Sequence, residues 1–229
     1  MEGVLETRTR CSYRLPEFKI VIADPKVKEL RIIPVRIVAD EDLEYSEKHK
    51  EQRELPKAKI HPEILKLINP ELGVVIVRIW KNRSTREKVN LAAKAIADSS
   101  IDKMEVRVPA EFMREKVGST SALGEVFRAP AFQLRVSGDS ANKLLGLRIG
   151  DRIEGSIIGL HGKILEIRGG SDLAGFPMRP DIPGPVKKYI LLSTGPGFKP
   201  REDGERRRKL VRGNTISEDI VQINAVVIY

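Results

Sequence analysis

Four cations in succession, Arg206-Arg207-Arg208-Lys209, are the most chemically pointed feature of this 229-residue chain. In a strand or a tight loop, such a run directs charge to both sides of the backbone. The nearby acids Glu202, Asp203 and Glu205 are too few to pair with all of it. Phosphate relieves the repulsion best, because each contact releases condensed counterions. A solvated basic loop is the plainer alternative. Lys187 and Lys188, and Lys199 with Arg201, form a second rank of phosphate contacts. Arg212-Gly213-Asn214-Thr215 offers a cation, a close-approach Gly, an amide and a hydroxyl. That set suits backbone and 2′-hydroxyl contacts of RNA, although Asn214 could equally cap its own turn. Arg168 and Arg179 flank Gly-rich turns and suit either phosphate contact or loop bracing. Phe176 and Phe198 each follow a Gly, where an aromatic ring either stacks on a base or anchors its loop.

Catalytic patterns are absent. There is no Gly-x-Ser-x-Gly elbow and no Gly-x-x-x-x-Gly-Lys-Ser/Thr loop. Gly169-Gly170-Ser171-Asp172 imitates part of a phosphate loop, but no Lys follows at the needed position. Asp172 and Asp181 sit in Gly/Pro contexts that favour turn-forming roles over a carboxylate pair. His49, His61 and His161 lie far apart without metal-ligand spacing, and Cys11 is alone. The acidic cluster Asp40-Glu41-Asp42 with Glu44 reads as a solvated loop rather than a metal site. The expectation is a chain with no enzymatic activity, cofactor, metal or small-molecule substrate.

The elements that must position these cations are short and mostly extended. Between Gly159 and Gly213 there are 10 Gly and 6 Pro in 55 residues, a frame of left-handed positions and rigid corners. Upstream, Phe18–Ala23 is β-rich and stops at Asp24-Pro25. Arg31–Val38 reads as a second strand, with Pro34 confining it to an edge. Residues 40–54 are charged and read as an exposed loop. Pro62–Ile68 is a helix stopped by Asn69-Pro70. Gly73–Trp80 is apolar enough for a strand buried on both faces. Arg86–Ala97 has period 2 but also the Ala content of a helix, and strand is preferred. Met104–Val108 is a strand, 110–117 a helix ended by Gly118, and Glu125–Ala129 a strand. This block echoes the next, where Ala131–Val136 is a strand and 139–145 a short helix capped by Ser137 or Asp139 and stopped by Gly146. If the echo is a true repeat, residues 26–130 hold a second small barrel. Asp151–Gly159 and Lys163–Arg168 read as strands joined by Leu160-His161-Gly162, followed by strands at Lys188–Leu192 and Ile220–Ile228. Strands dominate and helices are short, which points to a mainly β, barrel-like fold.

Charge is uneven. The chain carries +9 overall, with charged residues at 32% and aromatics at 5%. Residues 126–229 hold +6 of this and residues 1–125 only +3. The excess belongs to the segment with the Gly/Pro loops and favours a polyanionic partner there. No run approaches the roughly 20 apolar residues of a membrane span. Residues 1–17 lack the apolar core of a signal peptide and read as a flexible tail bearing Arg8, Arg10 and Arg14. A lone Cys fits a reducing, cytoplasmic setting.

The motifs GGSDLAGFPMRPD, LLSTGPGF, GERRRKLVRGNTIS and EDIVQIN, in this order, resemble the archaeal–eukaryotic small-subunit ribosomal protein family S6e. The upstream NKLLGLRIGDRIEGSIIGL and FKIVIADP (residues 18–25) resemble the same family. The resemblance covers 18–25 and about 131–228, not 26–125. It implies a small β-barrel core with short helices from 18–25 and 126–229, and an inserted second β-rich, barrel-like domain at 26–125. It further implies a structural component of the small subunit that binds its ribosomal RNA beside neighbouring ribosomal proteins, with no membrane role. A ribosome-assembly factor or RNA-binding regulator, released from the mature subunit, is the alternative. Eukaryotic members end in a long basic helix with regulated serines. Nothing comparable follows Ile228 here, so the resemblance implies an archaeal member without phosphorylation control. The near-neutral insertion is expected to be the poorer RNA binder.

Overall fold

The computed structural model describes residues 16–27, 29–82 and 85–229. Most of the expected tail, with Cys11 and its three arginines, lies outside them. Glu17 already belongs to β1 (Glu17–Ala23), where Phe18, Ile20 and Ile22 alternate inward and are fully buried. Burial of each such side chain is worth about 1.5–3 kcal/mol.

Next comes β2 (Ile33–Asp40). The expected exposed loop then contains α1 (Glu47–Lys50), a single turn. It is also less exposed than its charge suggests. Leu43 is buried, and buried Asp40 accepts from Lys59 Nζ at 2.8 Å. β3 (Lys57–Ile60) leads into α2 (Pro62–Ile68), which starts on a proline at its first position and ends at left-handed Asn69. β4 (Val74–Asn82) and β5 (Glu87–Ala97) form a long hairpin, so the ambiguous 86–97 stretch is a strand. β6 (Glu105–Pro109) runs into α3 (Ala110–Phe112), a π-helical turn at Met113–Val117 and left-handed Gly118. β7 (Ser121–Arg128) follows, starting four residues before the expected strand.

These strands close into a barrel in the order β2-β6-β3-β5-β4-β7. Pro34 is therefore not on an edge strand. The β6 ladder begins only at Arg36, so the missing N–H of Pro34 leaves no gap in that ladder. Ile37, Ile60, Val77, Ile79, Val106, Val126 and Met113 fill the interior.

β8 (Ala131–Ser137) pairs antiparallel with β1, residue for residue from Glu17↔Ser137 to Ala23↔Ala131. All six barrel strands thus fall in sequence between two hydrogen-bonded neighbours. α4 (Asp139–Asn142) is preceded by Gly138 and has no side-chain cap, so neither Ser137 nor Asp139 caps it as expected. The echo between the two blocks holds through Gly118 and Gly146, both left-handed.

β9 (Arg152–Glu154) is short, and a 3-10 turn (Gly155–Ile158) replaces the rest of the expected strand. β10 (Ile164–Asp172), β11 (Lys187–Leu192), β12 (Arg207–Arg212) and β13 (Ile220–Ile228) complete the chain. An open five-stranded sheet has the order β8-β1-β13-β10-β9, and β11-β12 form a separate two-stranded ribbon. The mainly β expectation holds, and the fully closed barrel is the one built by residues 33–128. β4 serves both cores. Val75, Val77 and Ile79 face the barrel interior, while Val74 and Ile76 pack with Phe132, Leu134 and Leu165 of the sheet. That double burial explains the nearly continuous apolar run of β4.

Candidate nucleic-acid interface

The ribbon is built outward from the sheet through one intervening segment. Met178 N–H donates to the Gly170 carbonyl of β10 at 2.8 Å, and Arg212 N–H of β12 donates to Pro177 O at 2.9 Å. Arg179 N–H donates back to Arg212 O at 3.0 Å. Residues 177–179 therefore continue the β10 ladder into β12, and β11 lies beyond. Because side chains alternate, directly opposite residues share a face. One face pairs Tyr189 with Leu210 and Leu191 with Arg208. Tyr189 is 68% exposed and Leu191 is exposed as well. The other face carries buried Leu192 and Val211 together with Lys188, Arg207 and Lys209.

The twelve residues singled out in the sequence separate into three groups. Lys188, Lys199, Arg201, Arg206, Arg208 and Lys209 make no side-chain ion pair among the described residues. All lie on the ribbon or in the loop joining its strands, and only Lys209 is less than fully exposed. Lys187, Arg207 and Arg168 are exposed but engaged. Lys187 Nζ sits 3.5 Å from Asp172 and 4.7 Å above the Phe176 ring. Arg207 meets Glu205 at 2.6 Å, and Arg168 meets Glu166 at 2.8 Å. Glu205 also accepts from the Arg201 backbone N–H, which together with Arg207 holds its carboxyl below the usual range.

Arg179, Arg212 and Asn214 are committed to the fold. Arg212 is 6% exposed at its side chain and donates from Nη2 to Asp219 at 2.6 Å and to Ser217 Oγ at 2.9 Å. Arg179 donates two bonds to Asp181 and a third to Pro196 O. Its donation holds the Asp181 carboxyl below the ordinary value. Asn214 Oδ1 accepts from Gly184 N–H at 3.2 Å, and its own N–H donates to Ile182 O. It therefore braces the 180–184 loop, and it also accepts from the adjacent Thr215 hydroxyl at 3.0 Å. Asp172 takes the turn role expected of it, accepting Phe176 N–H at 2.8 Å.

A polar cluster that the sequence reading missed joins the two β units. Asp24, buried at the end of β1, accepts from Arg128 of β7 and from the Tyr229 hydroxyl. Only the Asp24-Pro25 turn signal marked it, and Asp24 Oδ1 does accept the Lys26 N–H. Among the described residues, no group of three or more His, Cys, Asp or Glu side chains is arranged to hold a metal. No described helix is long and apolar enough to cross a membrane.

Fold and ribbon define a mainly β protein with a cationic outer edge. The family model for Ribosomal protein S6e matches residues 124–229. Small ribosomal subunit protein eS6 of Hyperthermus butylicus is 51% identical over 216 residues, 94% of this chain and 98% of that one. Its counterpart in Staphylothermus marinus is 49% identical over 94% of this chain and its own full length. That of Saccharolobus islandicus is 40% identical over 93% of this chain and its own full length. The chain belongs to the S6e family of small-subunit ribosomal proteins, which are structural components and not enzymes. Alignments this long run through the barrel as well as through 124–229. A computationally designed protein of known structure covers 43% of this chain at 16% identity and a TM-score of 0.28, too slight a likeness to bear on the fold.

Proposed function

We propose that the chain is an integral protein of the cytoplasmic small ribosomal subunit and holds ribosomal RNA through the ribbon and its connecting loop. The observation that carries this reading is the set of six cations without carboxylate partners among the described residues, gathered on β11, β12 and residues 193–206. Arg207 and Arg168 join them by exchanging a surface ion pair for a phosphate, since such pairs contribute only about 0–1 kcal/mol, whereas Lys187 faces the buried carboxylate of Asp172 and acts one step back. Arg179, Arg212 and Asn214 act one step back, by fixing the loops that carry the cations. Phosphate contacts of this kind set position and register on folded RNA rather than reading sequence. On this reading residues 18–25 and 126–229 form the RNA-binding core, and 26–125 is an insertion between its first two strands. Neighbouring ribosomal proteins complete the surroundings.

Co-sedimentation with small subunits at rising salt tests the assignment. One copy per subunit retained through a high-salt wash is expected. Release at modest salt, or presence on immature particles only, contradicts it and favours an assembly factor.

A further inference from the structure

A cleft of about 780 Å³ separates the barrel from the five-stranded sheet. Its floor is apolar, lined by the half-buried Leu55 and Leu72 on the barrel side and Ile157, Ile158 and Leu160 on the sheet side. Its rim is cationic and is contributed by both units. Lys57 and Lys94 come from β3 and β5, and Lys163 from the turn before β10. Lys57 and Lys94 are register partners in the parallel β3–β5 ladder. Neighbouring strands lie about 4.8 Å apart, so two ammonium groups start from adjacent positions and repel. Neither has a carboxylate partner among the described residues.

The two carboxylates that line the cleft do not compensate for them. Glu54 is 3.6 Å from Lys48, and Glu71 is 2.8 Å from Lys26 and 3.9 Å from Arg128. None of those three cations lines the cleft. Lys163 likewise has no carboxylate, only the Tyr229 ring 5.2 Å away. The walls are fixed in place. Gln52, in the loop before β3, accepts the Arg135 N–H at 2.8 Å and the Gln133 amide at 2.6 Å from edge strand β8.

We propose that this cleft grips a second, looped-out stretch of RNA, with phosphates against Lys57, Lys94 and Lys163 and a base or ribose face against the apolar floor. Unpaired nucleotides present both surfaces at once, which a duplex exterior does not. The barrel, near-neutral as a whole, thereby takes part in RNA contact through one face. The inference rests on the RNA-binding reading above but on different residues.

Amine acetylation read by mass spectrometry tests it. The full chain is labelled alone, bound to protein-free small-subunit ribosomal RNA, and within small subunits. Lys57, Lys94 and Lys163 are expected to be protected severalfold by the protein-free RNA. The combined variant K57Q/K94Q/K163Q should lower the salt slope of RNA binding by about 2, with its thermal midpoint not lowered. Equal labelling in the free and RNA-bound chain overturns the proposal. Protection only in whole subunits also overturns it, and assigns the cleft to an acidic protein segment. If the ribbon variant R206Q/R208Q/K209Q weakens binding while the cleft variant does not, the cleft falls and the ribbon reading stands. If neither weakens binding, both fall.

Discussion

Arg128 Nη2 donates to Asp24 Oδ2 at 2.6 Å across 104 residues of sequence, tying the last barrel strand to the first strand of the open sheet. The Asp24 side chain is 1% exposed, so its hydrogen-bond partners must come from inside the fold. Removing one member of a buried pair strands the other, at about 3–5 kcal/mol. Arg128→Ala is expected to cost about 3 kcal/mol in urea unfolding, because Tyr229 and the Lys26 N–H still reach Asp24. A change within about 0.5 kcal/mol, the range of ordinary surface substitutions, would contradict the role given to this pair.

Tyr229 gives the same junction a pH dependence. Its hydroxyl donates to Asp24 at 2.9 Å, and partial burial together with that bond pushes its pKa up to about 12 from 10. The folded pKa is raised, so folded chains keep a proton that unfolded chains have lost. The stabilisation is fully present below about pH 10 and disappears as the pH rises towards 12. Tyr229→Phe should therefore be less stable than the parent chain at pH 9 and approach it near pH 12. A gap that widens with pH would have the wrong sign.

Arg208 and Arg212 lie four residues apart on one face of β12, yet they should behave in opposite ways. Arg208 is exposed and has no ion-pair partner among the described residues, whereas Arg212 is buried and hydrogen-bonded to Asp219 and Ser217. Arg212→Gln is expected to lower unfolding stability by about 1.5–3 kcal/mol, the range for hydrogen bonds to charged groups. Its RNA salt slope should be unchanged in the fraction that folds. Arg208→Gln should lower the slope by about 0.7–0.9 with stability intact. Equal slopes for the two variants would mean that burial does not sort these cations.

Two glycines are held by their surroundings. A Cβ on Gly213 would collide with the Gly184 carbonyl oxygen, in the loop braced by Asn214. Gly197 has φ +94° and lies against the Pro177 ring, 3.0 Å from where a Cβ would sit. Gly213→Ala should cost about 1–3 kcal/mol by overpacking, and Gly197→Val a similar amount by strain. Hydrogen exchange should quicken at Gly213 and Asn214, whose N–H groups donate to Val186 and Ile182. Unchanged exchange and stability would show that the frame tolerates these side chains.

The sequence revealed strands and cations but not the pairing between them. β1, α2 and β13 follow from local apolar period and stop signals, and they lie at or within one residue of the expected bounds. Arg206–Lys209 is legible because charge density is a local property. That β12 pairs with β11 was not, because the two strands are joined across residues 193–206 and no local spacing marks their register. Arg212 looked like its neighbours in the basic run. Its ion pair depends on Asp219 folding back, a relation no spacing rule marks. Asp24 and Arg128 are separated by the whole barrel, so their contact is invisible until both β units are in place.

The most direct test of the central claim is the salt dependence of binding to small-subunit ribosomal RNA, comparing the parent chain with R206Q/R208Q/K209Q. Three lost phosphate contacts should flatten the slope of log K against log salt by about 2, at about 0.7–0.9 per contact. Thermal unfolding should be unchanged, since none of the three side chains has a hydrogen-bond or ion-pair partner among the described residues. A parallel loss of stability and binding, or an unaltered slope, would contradict the account and leave the ribbon a solvated basic edge.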